Sequence, residues 1–367
     1  MKSGIIRCLG IASLAAISFY AMAAKPSFTY VRTVDYSLHE YVGNPMAMVA
    51  GPNGSSLYFG DWYNDGINYV ANPLLTDGEH ADIANTVGAY NGTSTNFASN
   101  CSYQGAALDG NTLYMSGESS STITTDPPET VLVAVDVSNP GSWSTTQITG
   151  ITGAYSGLSV VGPGRIVMAN FLTGGLQFFT ISGTVATPDG AEIANTNIGT
   201  AHVLSVAYDA TSGKIFAHIA DNNLTRRIDI FNSNGTAAGT SYVGTWAPGV
   251  TSTLPLLSMS DSADNLQLQR SAPITVNQKY RILICPNRNE TNNGWDLFDI
   301  STVGATGTPY KQIRSADLAN LTPQTGKDVT GSAMFTDSGN DYFAFFTQNL
   351  LSIVQVTDAA VNDWTLY

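Results

Sequence analysis

Oxygen-bearing side chains recur along this 367-residue sequence in the segments that separate short apolar runs. Carboxylate and amide oxygens are the ligands that Ca²⁺ prefers, and six to eight of them complete its coordination. If the segments converge in the fold, the pattern predicts a calcium site. The metal candidates are Glu40, Asp61, Asn170, Asp221, Asn287 and Asp328, with Glu118 as a further member of the group.

The same residue types have a second interpretation as turn residues. Asp and Asn side chains bond to nearby backbone groups and tolerate left-handed φ, so turns select them without any metal. No Gly-x-Ser-x-Gly elbow, His-Glu-x-x-His pair, P-loop or dinucleotide fingerprint occurs in the sequence. The sequence therefore assigns no catalytic residue.

Aromatic residues and one histidine form the candidate ligand-binding group. Trp62 and Tyr63 lie in the acidic and aromatic segment Asp61–Gly66, and Tyr103 and His202 stand at the start of later apolar runs. Their rings could stack on a sugar, but aromatic side chains are also routine packing residues. A packed loop is therefore the alternative to a binding site.

The elements that must position these residues are short strands. Between Ser205 and Gly235, three runs alternate apolar and polar residues, and Gly, Asn and Asp separate the runs. Period-two alternation with β-branched and aromatic residues indicates consecutive antiparallel strands. Similar units recur along the chain, with the fifth starting at Leu256–Met259.

Six units of three or four strands predict an all-β fold, a single β-propeller over residues 25–367. A lone sheet leaves both faces bare, and stacking in a ring buries them. The strand Phe28–Tyr36 precedes the first unit, so it can complete the last blade and close the ring. Six blades are expected, and seven are the alternative if the insertion at Asp264–Asn277 hides part of another blade.

In such a ring the loops that precede the inner strands share one face with the loops that join the second and third strands. This face surrounds the channel. It would receive the metal and ligand candidates together with Gln104. Ligand sites usually gather on this face, although the fold by itself is weak support for a function.

The run Val131–Trp143 resembles the LVIVD-type repeat of secreted bacterial β-propellers, in which an apolar strand ends in Asp-Val-Ser-Asn-Pro. Weaker copies are Leu297–Thr302 and Val354–Asp358. This resemblance implies a propeller fold and no activity. The whole chain is also similar to the wider class of six-bladed propellers that includes calcium-dependent lactonases, which implies a Ca²⁺ ion that polarises an ester carbonyl.

The first 24 residues have the pattern of a secretory signal peptide. Lys2 and Arg7 precede the apolar stretch Leu9–Tyr20, and Ala21-Met22-Ala23 is a small-x-small cleavage site. The mature chain is expected to begin at Ala24 or Lys25, in the periplasm or outside the cell. No later run reaches the roughly 18 apolar residues of a membrane helix.

Charge and composition limit the partners. The formal net charge is −13, and 43% of the residues are hydrophobic whereas 12% are charged. An acidic surface disfavours nucleic acid and anionic membranes, which need a basic footprint. A protein or glycan partner or a cation remains compatible with it, and oligomeric state is not indicated.

Two cysteines, Cys101 and Cys285, remain after signal cleavage. In an oxidising compartment they could form one disulfide. Their units are opposite each other in a six-bladed ring, so the bond requires a loop that crosses the channel mouth. Two separate thiols are the alternative.

The sequence supports two functional hypotheses. The first is an exported, non-catalytic β-propeller that acts as a binding or structural protein of the cell envelope or extracellular space. The second is a calcium-dependent, lactonase-like hydrolase with its site in the channel. The distinguishing feature is convergence, because the second function needs at least three of the metal candidates around one point.

Overall fold

The computed structural model describes residues 26–37, 45–61, 67–75, 83–85, 101–119, 130–139, 144–170, 173, 175–193, 202–220, 226–233, 242–246, 274–287, 294–300, 311–314, 329–347 and 349–357. The regular structure in these ranges consists of β-strands, arranged in six four-stranded antiparallel sheets. None of the described segments is a helix with the length and apolar character needed to cross a membrane.

The first three sheets follow one another along the chain, and each is a meander. Sheet 1 contains β2 (Pro45–Ala50), β3 (Leu57–Asp61), β4 (Ile67–Val70) and β5 (Ile83–Asn85). Sheet 2 contains β6 (Cys101–Asp109), β7 (Thr112–Ser119), β8 (Thr130–Asp136) and β9 (Ser144–Ile148). Sheet 3 contains β10 (Tyr155–Gly162), β11 (Arg165–Asn170), β12 (Leu176–Ser182) and β13 (Val185–Pro188).

The next two sheets repeat this order, and the last sheet includes the N-terminal strand β1. Sheet 4 contains β14 (His202–Asp209), β15 (Lys214–Ala220), β16 (Arg226–Asn232) and β17 (Tyr242–Trp246). Sheet 5 contains β18 (Thr275–Asn277), β19 (Ile282–Asn287), β20 (Gly294–Asp299) and β21 (Lys311–Arg314). Sheet 6 contains β22 (Val329–Asp337), β23 (Asn340–Thr347), β24 (Leu350–Thr357) and β1 (Ser27–Asp35).

Sheet 6 joins the two ends of the chain. The predicted strand at 28–36 is present as β1, and it pairs antiparallel with β24, with Phe28 opposite Val356 and Val34 opposite Leu351. The backbone N–H of Tyr36 donates to the carbonyl of Asn349 over 2.9 Å. A strand from the start of the chain therefore covers the outer edge of the last three strands.

The hydrophobic core lies between the sheets. Six buried clusters each combine residues of two sheets: 1 with 2, 2 with 3, 3 with 4, 4 with 5, 5 with 6, and 6 with 1. Among the described residues the largest fully buried side chain is Trp295 of sheet 5, whose ring meets Phe343 of sheet 6 edge-on with 5.0 Å between centroids. Both faces of every sheet are thus covered by a neighbour.

The turn between the first two strands of each sheet requires a residue with positive φ. In five sheets a glycine takes this conformation, at no steric cost. These glycines are Gly54, Gly110, Gly164, Gly213 and Gly339, with φ between 59° and 80°. In sheet 5 the turn residue with positive φ is Arg281, at 55°.

The first described strand of sheet 5 lies at the end of the stretch that sequence analysis treated as an insertion, Asp264–Asn277. Sheet 5 begins at β18, Thr275–Asn277, with Val276 opposite Leu283. Residues 256–259 and most of the insertion lie outside the described residues. The hairpin turn escaped sequence analysis because Arg281 stands where the other units have glycine.

Arg281 is held by an ion pair with Asp209, which ends the first strand of sheet 4. The Asp209 side chain is fully buried, and it also accepts hydrogen bonds from the Ser212 hydroxyl and the Thr211 N–H. The second guanidinium nitrogen of Arg281 donates to the carbonyl of Ile300 over 3.2 Å. This arrangement ties sheet 4 to sheet 5 at the turn end.

Burial of Asp209 raises the pKa of its carboxyl, but the hydrogen bonds and charge of Arg281, with the Ser212 and Thr211 bonds, outweigh burial and lower the pKa below its usual value. The carboxylate is therefore the stable form in the fold. Breaking a buried pair leaves an uncompensated charge, which is strongly destabilising.

We expect Arg281→Ala to lower the free energy of unfolding by about 3 kcal/mol, because it leaves the buried carboxylate of Asp209 without its charge partner. Arg281→Gly loses the same charge but relieves the positive φ, so it should be more stable than Arg281→Ala by about 1 kcal/mol. Urea unfolding measures both. Lys279→Ala is the control, because Lys279 pairs with Asp341 from an exposed position and its loss should cost less than about 1 kcal/mol. Equal stability of the Ala and Gly variants would contradict strain at Arg281.

Asp209 also predicts a pH dependence. A carboxyl with a lowered folded-state pKa stabilises the fold above its unfolded-state pKa of about 3.9, and this contribution is lost as the pH falls through the lower, folded-state value. The stability gap between the wild type and Asp209→Asn should therefore be full at pH 6 and shrink below pH 4. Urea unfolding from pH 6 to pH 3 measures it. A gap that is constant over this range would refute the assignment.

Candidate functional site

The first strands of the six sheets enclose a central cavity of about 310 Å³. These strands are β2, β6, β10, β14, β18 and β22, and each lies at one edge of its sheet. Every one of them contributes consecutive residues to the cavity wall. The described wall consists of glycine, alanine and aliphatic or methionine side chains, together with the neutral polar residues Gln104, Ser159, Ser205, Tyr208, Thr275 and Ser332.

A register shift occurs near the beginning of five of these strands. The shifts lie between Pro45 and Ala47, Tyr103 and Gly105, Tyr155 and Leu158, Val203 and Ser205, and Val329 and Ser332. Bulges of this kind bend a strand, increase its twist and re-aim a side chain. The shift therefore bends the beginning of these five strands relative to their sheets.

Small residues next to the shifts let adjacent first strands approach closely. A Cβ on Gly157 would lie 2.7 Å from the Cα of Ser205, and a Cβ on Gly105 would lie 2.9 Å from the backbone nitrogen of Leu158. A Cβ on Gly331 would lie 3.1 Å from the carbonyl oxygen of Pro45. Backbone packs directly on backbone at these points, so a side chain there would push the strands apart.

Two serines of the wall connect neighbouring strands by hydrogen bonds. The Ser205 hydroxyl accepts from the backbone N–H of Ile274 over 3.0 Å, which joins β14 to the start of sheet 5. The Ser159 hydroxyl accepts from the backbone N–H of Tyr208 over 3.2 Å, which joins β10 to β14. These bonds hold the wall together from within.

Two other polar residues of the wall have a different environment. Gln104 and Ser332 are each 1% exposed. Within the described part of the chain, neither the oxygen nor the nitrogen of the Gln104 amide has a hydrogen-bond partner, and the Ser332 hydroxyl has none. Sequence analysis placed Gln104 on the channel face but did not select it, because no local motif marks it.

Of the metal candidates, Asp61 and Asn170 have described side chains. Both are buried and end the second strand of their sheets, sheet 1 and sheet 3, and neither is part of the described cavity wall. Among the described residues, no three of the His, Cys, Asp and Glu side chains form a group that could hold a metal ion. Convergence of the full set stays a prediction, since Glu40, Asp221 and Asp328 lie outside the described residues.

Asn170 organises the loop that follows its strand. Its amide nitrogen donates to Glu192 over 2.9 Å, and its amide oxygen accepts from the backbone N–H of Thr173 over 3.2 Å. The Thr173 hydroxyl donates to the same Glu192 carboxylate. Sequence analysis missed Glu192, because it lies 22 residues from Asn170 and only the fold of sheet 3 brings the two together.

The Glu192 carboxylate of this loop affects the pKa of Tyr155, which lies at the start of β10. Burial and, to a smaller extent, the negative charge of Glu192 together raise the pKa of Tyr155 to about 12. The phenol therefore keeps its proton at neutral pH. Its ring meets Phe179 edge-on with 5.5 Å between centroids, which is the environment of a core residue.

Of the ligand-binding candidates, Tyr103 is the one with a described side chain. It is fully buried and lies in the core cluster between sheets 1 and 2 with Tyr58 and Met115. A Cβ on Gly60 would lie 2.5 Å from the Cβ of Tyr103, so the tyrosine packs directly against the backbone of β3. The ring contributes to packing, and the next residue, Gln104, contributes to the cavity wall.

The remaining candidates are described in part or not at all. Trp62 and Tyr63 lie outside the described residues, and for His202, Glu118, Asn287 and Cys101 only the backbone is described, within β14, β7, β19 and β6. Cys285 is buried in the cluster between sheets 4 and 5. The disulfide between Cys101 and Cys285 stays a prediction.

No protein-family model matches this chain, and no curated protein matches it. Solved structures similar to it are β-propeller-type proteins. The major Malassezia sympodialis allergen Mala s 1 is similar with a TM-score of 0.55 and 9% identity, over 91% of this chain and 98% of that chain. YCF48 bound to D1 peptide gives a TM-score of 0.48 and 12% identity, over 93% of this chain and 100% of that chain.

The Kuenenia stuttgartiensis hydrazine synthase gives a TM-score of 0.48 and 12% identity, over 87% of this chain and 97% of that chain. At these identities the likeness extends to the fold alone. The described strands form an all-β fold of several small antiparallel sheets, and the likeness to Mala s 1, at a TM-score of 0.55, supports a propeller-type fold.

Because the first strands pack closely, adding one methyl group at a contact between them should destabilise the fold. Gly157→Ala should lower the free energy of unfolding by about 1–3 kcal/mol, because the new Cβ overlaps the backbone of β14. Gly162→Ala is the matched control in the same strand, since a Cβ there meets no atom within 4 Å. Urea unfolding compares the two variants, and equal stabilities would refute the close approach.

Proposed function

We propose that this chain is a six-bladed β-propeller, closed by its N-terminal strand, that acts as an exported, non-catalytic binding or structural protein of the cell envelope or extracellular space. The six described four-stranded sheets support the proposal of six blades. The contacts of β22 with β2 and the pairing of β1 with β24 support closure of the ring.

Contacts along the ring support this architecture. Each first strand contacts the first strand of the next sheet, from β2 through β6, β10, β14 and β18 to β22. The core cluster between sheets 6 and 1 contains Val34 of β1, Phe59 of sheet 1 and Phe346 of sheet 6. A cyclic arrangement is what allows every sheet to bury both faces.

The observation that carries the functional proposal is the nature of the cavity wall. Its described side chains are aliphatic or neutral polar, and two of its serines serve as ties between strands. Aliphatic groups, amides and hydroxyls bind by contact and hydrogen bonding. Acid–base or nucleophilic catalysis uses a positioned group whose pKa or nucleophilicity is tuned for the reaction.

Export rests on the first 24 residues, which lie outside the described residues. Their basic start, apolar stretch and small-residue cleavage site support secretion to the periplasm or the extracellular space. The excess of acidic residues supports a protein or glycan partner over nucleic acid.

The test begins with the full chain expressed in a bacterial host. We expect the protein in the periplasm or medium, with an N-terminus at Ala24 or Lys25 by Edman degradation, and with no turnover of a panel of lactones and esters. Chelation should leave the melting temperature unchanged, and elemental analysis should find no bound calcium.

One equivalent of Ca²⁺, a melting temperature that falls on chelation, and hydrolysis of a lactone would together replace this proposal with the calcium-dependent hydrolase. An uncleaved N-terminus in the cytoplasm would refute export. The two outcomes are independent, because export concerns residues 1–24 and catalysis concerns the channel.

A further inference from the structure

We propose that the central cavity binds a neutral, mainly apolar molecule about the size of two fused aromatic rings. The inference rests on the proposed binding function and names the class of ligand for it. It starts from the cavity of about 310 Å³ that the first strands enclose. An apolar cavity of about 150 Å³ holds one benzene molecule, so a cavity of about twice this volume accommodates a two-ring molecule.

The hydrophobic core reaches the cavity at every interface between sheets. Each of the six core clusters has a partly buried hydrophobic side chain packed against it that also lines the cavity. These side chains, one for each cluster, are Ala50, Leu108, Val160, Tyr208, Val276 and Met334. A ring of hydrophobic side chains therefore surrounds the cavity, and the sheets shield this ring only in part from water.

An apolar ligand completes the burial of this ring. Contact between water and apolar side chains is unfavourable, and the free energy gained on burial is roughly proportional to the apolar area removed from water. Because the six side chains belong to six different clusters, a molecule at the centre of the ring extends the cores of several interfaces at once. The occupant expected from the wall is thus a compact apolar molecule.

The polar side chains of the wall offer few hydrogen bonds to a ligand. The Ser159 and Ser205 hydroxyls already accept from the backbone N–H groups of neighbouring strands. The polar atoms of Gln104 and Ser332 are buried and do not open into the cavity. A sugar would therefore lose hydrogen bonds to water that these side chains do not replace.

One uncharged polar group on the ligand is compatible with the wall. Each first strand is an edge strand of its sheet, and an edge strand presents backbone N–H and C=O groups that its own sheet does not use. The described wall also contains the hydroxyl-bearing residues Thr275 and Tyr208, and both are partly exposed. A single hydroxyl group can bond to such groups while the rings contact the aliphatic side chains.

The wall selects against charged ligands. None of the described side chains that line the cavity is ionisable near neutral pH. Moving a charged group from water into such a site without an opposite charge is costly. A neutral ring system avoids this cost, and the same ring system with a carboxylate does not.

The experiment uses the mature protein at pH 7 and four probes: 2-naphthol, phenol, 2-naphthoate and D-glucose. We expect 2-naphthol to give a saturable one-to-one isotherm by calorimetry and to raise the melting temperature in proportion to its binding. Phenol should bind at least about tenfold more weakly, because its single ring buries less apolar area. The charged 2-naphthoate and the polar D-glucose should not bind.

Two neighbouring valines of strand β10 provide a matched pair of variants. Val160 lines the cavity, whereas Val161 is partly buried against the cluster between sheets 3 and 4 and lies outside the described cavity wall. Val160→Thr replaces a methyl group with a hydroxyl of similar size, so the affinity for 2-naphthol should fall by about threefold to tenfold. Val161→Thr makes the same chemical change away from the cavity and should bind 2-naphthol like the wild type.

A second variant tests the size of the cavity. Ala106 lines the cavity and is partly exposed, so Ala106→Leu should fill part of the space. We expect this variant to lose at least about tenfold in affinity for 2-naphthol and to keep its affinity for phenol within about threefold. A melting curve without probe shows whether Ala106→Leu is folded. If it is not, the comparison of Val160→Thr with Val161→Thr decides alone.

Failure of 2-naphthol to bind overturns the proposal, as does equal binding of 2-naphthol and 2-naphthoate. Equal affinity of Val160→Thr and Val161→Thr for 2-naphthol would place the binding site elsewhere on the protein and has the same consequence. Binding of D-glucose in preference to 2-naphthol would replace the apolar ligand with a polar one. These outcomes leave the proposed function intact when the protein is still exported and inert toward lactones, so the two proposals fail separately.

Discussion

Each small sheet of this protein is apolar on both faces, and this constraint shapes everything else. Four short strands cannot bury two faces by themselves, so every sheet needs a neighbour on each side. The six core clusters meet this need in sequence, and the cluster between sheets 6 and 1 includes Val34 from the N-terminal strand. Val34 reaches this cluster because its strand, β1, pairs with β24.

Stacking of twisted sheets brings their first strands into contact, and the residues at these contacts must be small. Gly105 and Gly157 allow backbone to meet backbone, and the serines at 159 and 205 turn close contacts into hydrogen bonds. The same small side chains leave a hollow at the centre. The cavity is thus a consequence of how the sheets meet, and its polarity depends on the few polar residues at the wall.

Hydrogen bonds and ion pairs connect neighbouring sheets near the turns that join their first and second strands. Asp109 of sheet 2 accepts from the backbone N–H of Gly164 in sheet 3 over 2.6 Å, and Asp209 binds Arg281 across sheets 4 and 5. Lys279 pairs with Asp341 between sheets 5 and 6. Acidic residues in these turns therefore have structural roles, which explains part of the excess of negative charge without any bound cation.

The sequence by itself determined the strands, because alternation and glycine turns such as Gly164 and Gly213 are local properties. It also located β1 before the first sheet. Only the tertiary structure decided which residues meet, since Asn170 finds Glu192, and Gln104 comes to the cavity wall, through contacts between distant segments. Arg281 shows the limit most clearly. Its side chain pairs with an aspartate 72 residues away, and no local pattern contains that distance.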